Sequence, residues 1–238
     1  MISVSGVTHS FGNRVVLDVV TVAIAEHRVA VIGANGSGKS TFARMLNGLV
    51  LPDTGSVVVD GLDTATRGPA VRRRVGFVFT NPDAQIVMPT VAEDVALSLR
   101  RSGLSAEQKA ARVGDTLAQV GLHGFDDRPA HLLSGGEKQL LALASVLVAE
   151  PAVLVCDEPT TLLDLRNTRR VLDILLGLPQ RLVMATHDLD TLAANASRVG
   201  ALDAINDIET ARKRLDKVAA RIRYADRGYA GFFDAVKI

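Results

Sequence analysis

The sequence predicts an α/β fold, with a mostly parallel sheet covered by helices and a helical stretch inserted beside it. Three observations carry this. Short β-branched and apolar runs alternate with segments of helical spacing. The runs 152–156 and 181–185 are apolar at nearly every position, as strands covered on both faces must be. From Val91 to about Ala149 the pattern is mostly helical, which places a subdomain at the side of the sheet.

Residues 2–33 read as short β segments. Val15-Val16-Leu17 and Val20-Thr21-Val22-Ala23-Ile24 are rich in β-branched residues, and Val29-Ala30-Val31-Ile32 is an apolar run that stops at Gly33. Residues 40–49 take helical spacing, with Phe42, Met45, Leu46 and Leu49 on one face. The turn Pro52-Asp53-Thr54-Gly55 leads into a strand over 56–59. Val75-Gly76-Phe77-Val78-Phe79 is a further strand, running into the loop Thr80-Asn81-Pro82-Asp83. The helical stretch is punctuated at Ser102-Gly103 and by a loop over 121–134. A helix over 165–176 separates the last two buried strands. From Ala201, the apolar residues Ile205, Ile208, Ala211, Leu215, Val218 and Ile222 recur at spacings of three and four, predicting an amphipathic helical tail. Its final positions gather Tyr224, Tyr229, Phe232 and Phe233, and packing on its own domain is the simpler reading than a partner-binding helix.

Composition narrows the function. A chain of 238 residues with 47% in the hydrophobic set makes one domain, or one with a subdomain, and buries its core without staples. A single cysteine, Cys156, excludes a disulfide framework. A net charge of +1 argues against a dedicated nucleic-acid binder. The start Met1-Ile2-Ser3-Val4-Ser5-Gly6 lacks the pattern of a signal peptide. The apolar stretch 140–149, broken only by Ser145, falls short of the roughly 18 residues of a membrane span.

The chemistry concentrates in a few motifs. Gly33-Ala34-Asn35-Gly36-Ser37-Gly38-Lys39-Ser40 fits the phosphate-binding loop, placed after a buried strand and before a helix. Its glycines let backbone N–H groups wrap a phosphate, Lys39 would reach the β- and γ-phosphates, and Ser40 would hold Mg²⁺. Asp157 and Glu158 follow a strand at its C-terminal end, where a parallel sheet places its ligands; the Asp suits a Mg²⁺ shell and the Glu an attacking water. Leu133-Ser134-Gly135-Gly136-Glu137 opens a helix, either as a second anion-binding device, as a capping box, or as both. Two phosphate-recognition devices in one chain suggest that two chains share each nucleotide. His187, in Ala185-Thr186-His187-Asp188, sits at a strand end on the same sheet edge and could hydrogen-bond a γ-phosphate. His9, His27, His123 and His131 have no such setting and receive no role.

The order of these motifs, with Asp164, resembles the ATP-binding-cassette ATPases over residues 2–199. The resemblance implies a P-loop NTPase of ABC type: a RecA-like, mostly parallel core, an N-terminal antiparallel β subdomain and an α-helical subdomain at about 85–150, the cassette ending near residue 200 and an atypical tail filling 201–238. It implies ATP and Mg²⁺, and a second cassette paired head to tail. Residue by residue, it implies that Phe11 stacks on adenine, that Gly33, Ala34, Asn35, Gly36, Ser37, Gly38, Lys39, Ser40 and Thr41 hold the phosphates, and that Ser134, Gly135 and Gly136 reach the partner's nucleotide. Asp164, in Thr161-Leu162-Leu163-Asp164, falls in the loop that communicates across the dimer, and Glu158 with His187 forms the catalytic pair.

Asn81-Pro82-Asp83-Ala84-Gln85 and Pro89-Thr90-Val91-Ala92-Glu93-Asp94-Val95 resemble the energy-coupling-factor branch, which drives vitamin and metal-ion uptake. In that branch this segment receives a transmembrane T component, so Gln85 is the candidate coupling residue, beside a separate substrate-binding membrane subunit. The runs 133–144 and 157–167 resemble the biotin-uptake ATPases, which implies a peripheral position on the cytoplasmic face of the membrane and no nucleic-acid partner. Two departures stand out. Thr80 replaces the usual Gln at the Mg²⁺ shell and would reach the ion through water, and the resemblance ends at the tail. The rivals are a non-transport cassette acting on DNA or ribosomes, which would normally carry coiled coils, a fused second cassette or basic arms, and a regulatory module without hydrolysis, which Glu158 and His187 disfavour.

Overall fold

The computed structural model describes residues 1–188 and 200–202. Two sheets form the frame. The first is antiparallel, in the order β2-β1-β4-β5, and is built from β1 (Ile2–Phe11), β2 (Arg14–Ile24), β4 (Thr54–Val59) and the short β5 (Leu62–Asp63). The second is parallel, in the order β6-β7-β8-β3-β9, from β3 (Arg28–Ile32), β6 (Val75–Val78), β7 (Val153–Asp157), β8 (Arg181–Thr186) and β9 (Gly200–Leu202). The expected mixed α/β architecture is therefore present.

The near-continuous apolar character of β3, β7 and β8 has a direct cause. Successive side chains of a strand point to opposite faces, and here each face meets its own core. Val29, Val31, Val153, Val155, Val183 and Ala185 join a cluster with Ile2, Val4, Leu17 and Phe42, between the parallel strands, α1 (Lys39–Met45) and the antiparallel sheet. Ala30, Ile32, Leu154, Cys156, Leu182 and Met184 join a second cluster with the helical side of the molecule. That side comprises α3 (Val91–Leu97), α4 (Ala106–Gln119) and α5 (Gly135–Leu147), together with α6 (Leu165–Gly177). Helices α3, α4 and α5 each begin with a capping box, formed by Thr90 and Glu93, by Ser105 and Gln108, and by Ser134 and Glu137.

Three local readings change. Helix α1 ends at Met45, so Leu49 leaves the apolar face that Phe42, Met45 and Leu46 share and lies exposed. The helix α2 (Gly68–Arg74), with Pro69 in its first turn and Arg72, Arg73 and Arg74 in its last, carried no sequence assignment because its apolar positions are too few to set a period. Ala201 and Leu202 do not begin a helix: they lie in β9, paired with Ala30 and Val31 of β3. The remainder of the tail reading, including Ile205 to Phe233, lies outside the described residues.

Candidate active site

The C-terminal ends of β3, β6, β7 and β8 meet along one edge of the parallel sheet, where such sheets place their ligands. They carry in turn the loop 33–40, Thr80, the pair Asp157 and Glu158, and His187. In the loop, Gly36 and Gly38 adopt φ of 80° and 94°. A Cβ on Gly38 would come within 2.9 Å of the Val16 carbonyl oxygen and of Leu17 Cδ2, so this position tolerates only glycine. Lys39, 4% exposed, donates from Nζ to the carbonyls of Gly33 (2.9 Å) and Ala34 (3.0 Å) and stands 3.6 Å from Glu158 Oε1. Its ammonium thus closes over the loop that a phosphate would occupy. Ser37 Oγ is buried and has no partner among the described residues. Asn35 is exposed, and Thr41 is buried in the first turn of α1.

Ser40 Oγ donates to Asp157 Oδ1 at 2.7 Å, joining the two residues expected at a cation. Asp157 is 1% exposed, and its Oδ2 accepts no hydrogen bond among the described residues, with Arg44 3.6 Å away. Burial pushes the Asp157 carboxyl up, and the Ser40 hydroxyl and Arg44 offset that only in part. A buried carboxylate oxygen without a donor, beside a hydroxyl, suits a hard cation that takes oxygen ligands. No group of three His, Cys, Asp or Glu capable of holding a metal exists among the described residues.

Glu158 sits at φ 49°, in the left-handed region, with its N–H donated to Ala185 O at 2.8 Å. This bond pins the residue to the end of β8, and His187 follows on that strand: its Nδ1 lies 3.1 Å from Glu158 Oε1. Thr161 Oγ1 donates to Glu158 Oε2 at 3.0 Å. Burial pushes the Glu158 carboxyl up, but the His187 and Thr161 hydrogen bonds and the His187 and Lys39 charges outweigh it and hold the group below the usual glutamate range. Glu158 is an ionised, oriented carboxylate.

Thr80 spends its hydroxyl proton on the Asp157 carbonyl at 2.8 Å. This bond ties Thr80, just past β6, to the end of β7. Phe11 is 57% exposed at the end of β1, paired with Arg14, whose guanidinium reaches Gly36 O at 3.5 Å.

Ser134, Gly135, Gly136 and Asp164 lie elsewhere. Helix α1 packs on β7, β8 and β2, whereas α5 packs on α3, α4, α6 and β6. Ser134 caps α5: its N–H is donated to Glu137 Oε2 at 2.7 Å, and its Oγ accepts from Glu137 N at 3.4 Å. The Ser134 backbone bond is the main reason that the Glu137 carboxyl is held below its usual range. Asp164 caps α6, accepting from Asn167 N (2.9 Å) and Asn167 Nδ2 (2.8 Å). Asn167 also fills the space in front of Gly136, whose Cβ would come within 2.4 Å of Asn167 Cγ. The Asn167 side chain therefore stands between Gly136 and the Asp164 carboxylate.

Gln85 turns inward. Its Oε1 accepts from Phe79 N (3.2 Å) and its Nε2 donates to Ala142 O in α5 (2.7 Å). Nearby, buried Asp94 accepts from Val87 N, Met88 N and Ser145 Oγ. With Lys138 Nζ donating to Asp83 Oδ1 at 2.7 Å, the segment 79–94 is fastened at three points to α5. Sequence reasoning missed the pairing of Arg44 with Asp157, of Asp94 with Ser145 and of Asn167 with Gly136, because these partners lie far along the chain; only Asn167, three residues after a capping Asp, left a local signal.

No helix among the described residues is long and apolar enough to cross a membrane. A family model described as ABC transporter matches residues 18–161. Over 206 residues the chain is 50% identical to a Bartonella quintana protein named as an ABC transporter ATP-binding protein, covering 85% of this chain and 91% of that one. It is 50% identical over 184 residues to the biotin transport ATP-binding protein BioM of Rhizobium etli, covering 77% of this chain and 82% of BioM. Its fold is similar to that of cbiO1 from Clostridium perfringens, part of the ABC transporter complex cbiONQ, with a TM-score of 0.76, 27% identity, and coverage of 94% of this chain and 96% of that one. It is also similar to the ATP-binding cassette MJ0796 in a dimeric post-hydrolysis state bound to ADP and Pi, with a TM-score of 0.74, 26% identity, and coverage of 86% and 94%. With a phosphate loop on β3, a carboxylate pair on β7 and a matching family model across both, the chain belongs to the ABC transporter family and is an ATP-binding, ATP-hydrolysing cassette of a transporter.

Proposed function

We propose that this cassette powers an energy-coupling-factor importer for a vitamin or a metal ion, with biotin the favoured cargo. The observation that carries this is the 50% identity to BioM across 82% of that protein. The likeness to cbiO1, part of cbiONQ, supports the branch. In this reading the chain lies on the cytoplasmic face of the membrane, against a T component and a substrate-binding subunit.

Two cassettes would pair around two ATP molecules, an arrangement supported by the dimeric MJ0796 and by the separation of α1 from α5 onto different neighbours. The loop 33–40 and Thr41 bind the phosphates of one ATP, and Lys39 exchanges the Gly33 and Ala34 carbonyls for them. Ser134, Gly135 and Gly136 of the other chain reach the same ATP, and Asp164 holds its loop in register across the pair. Mg²⁺, when bound, adds positive charge at the β- and γ-phosphates; Ser40 and Asp157 would hold it, with Thr80 acting through water. Glu158 takes the proton of the attacking water while His187 orients it and the γ-phosphate. Phe11 stacks on the base.

Gln85 couples hydrolysis to the membrane partner indirectly. Its amide is committed to Phe79 and Ala142, so it makes the 79–94 segment and α5 move as one piece. The test is co-expression with the adjacent membrane subunits, followed by biotin uptake and ATP turnover with and without them. Uptake that disappears in Lys39→Ala, with turnover stimulated by the assembled subunits, is the expected outcome. A cassette whose turnover ignores these subunits, in a complex that takes up no biotin, counts against the reading.

A further inference from the structure

We infer that His9 is a positioning residue for the nucleotide base, acting through Phe11 and held in place by Asp53. Val7, His9 and Phe11 alternate onto one face of β1, which passes from core to solvent: Val7 is 0% exposed, His9 9% and Phe11 57%. The rings of His9 and Phe11 lie 4.8 Å apart with their planes at 88°, an edge-to-face pair that stops the exposed phenyl from turning freely. His9 is held in turn. Its Nδ1 faces Asp53 Oδ1 at 3.2 Å, and Asp53 Oδ2 accepts the Ser10 N–H at 2.8 Å. Asp53 N donates to Thr8 O at 2.9 Å, so the turn before β4 grips the end of β1 on both sides of His9.

This device stands next to the phosphate loop. Phe11 pairs with Arg14, which contacts Gly36, and Val16 and Leu17 of the same β2 strand close on Gly38. A ring held in one orientation there offers its face to a base without first losing torsional freedom, which is how preorganisation raises affinity. The inference rests on the reading of Phe11 as the stacking residue.

The test compares binding of ATP with binding of inorganic tripolyphosphate, each with Mg²⁺, by calorimetry. Tripolyphosphate reports the phosphate loop alone. Phe11→Ala should weaken ATP by about tenfold, and His9→Ala and Asp53→Ala by about threefold each; none should change tripolyphosphate. In the Phe11→Ala background, His9→Ala should have no further effect. Loss of affinity for both ligands alike, wild-type ATP affinity in His9→Ala and Asp53→Ala, or an added loss on top of Phe11→Ala overturns the proposal. If Phe11→Ala itself binds ATP normally, the stacking reading falls and takes the proposal with it. Should His9→Ala fail to fold, the half-exposed Asp53 decides through Asp53→Ala.

Discussion

Replacing Gly136 by Ala probes the link between the two segments proposed to face a partner's nucleotide. The new Cβ would lie 2.4 Å from Asn167 Cγ, 2.6 Å from Oδ1 and 2.8 Å from Nδ2. These atoms are the far end of a rotatable side chain, so Asn167 swings aside and gives up its 2.8 Å bond to Asp164 Oδ2. Its backbone N–H keeps its bond to Asp164 Oδ1. The stability cost is that of one hydrogen bond, about 1 kcal/mol, equivalent to roughly 2–4 °C in Tm for a domain of this size. Turnover should fall further, by about tenfold, because Asp164 loses the Asn167 side-chain bond that helps to position its loop. Thermal melting and a steady-state ATPase assay on Gly136→Ala, Asn167→Ala and the double variant give the answer. With Asn167 shortened the methyl group has room, so Gly136→Ala should then cost less than about 0.5 kcal/mol. An undiminished cost in the double variant would show that the methyl group strikes something other than Asn167.

Glu158→Gln should lower turnover by at least about a hundredfold while an ATP-bound dimer accumulates, visible by size-exclusion chromatography; substantial residual hydrolysis would make Glu158 the wrong base. Because the Glu158 carboxyl is held below its ordinary value of 4.5, it contributes stability above that pH and loses it as pH falls through the lower, folded value. Wild type should therefore lose stability relative to Glu158→Gln in urea titrations below pH 4.5; the opposite slope from Asp157, pushed up chiefly by burial, is carried by both, less the smaller part that the Glu158 charge itself adds in wild type. Asp94→Ala strands two backbone N–H groups and the Ser145 hydroxyl, and should cost about 2–4 kcal/mol in chemical denaturation. Thr80→Gln should change transport-coupled ATPase activity more than ATP affinity, since Thr80 contacts the Asp157 carbonyl rather than the phosphate loop; unchanged coupled turnover counts against that.

The motifs were legible because each is a contiguous run whose function is written in local backbone geometry. Gly38 must be glycine to allow φ of 94°, and Ser134 with Glu137 closes a cap within four positions. The buried strands were legible because burial on both faces leaves little room for polar residues. The start of β9 was misread because a three-residue edge strand carries too few positions to outweigh the helical period that follows it. Helix α2 was missed for a similar reason.

By itself, then, the sequence determined the α/β class, the phosphate loop, the carboxylate pair and the capping of α5, all of which depend on neighbours a few residues apart. Only the tertiary structure decided how they meet. Ser40 reaches Asp157 across 117 positions, Thr80 reaches the Asp157 carbonyl across 77, Gln85 faces Ala142 across 57, and His9 answers to Asp53 across 44. A hydrogen bond depends on distances and angles that one strand register or one helix rotation would abolish. Those are set by packing over the whole domain, and residue spacing along the chain does not record them.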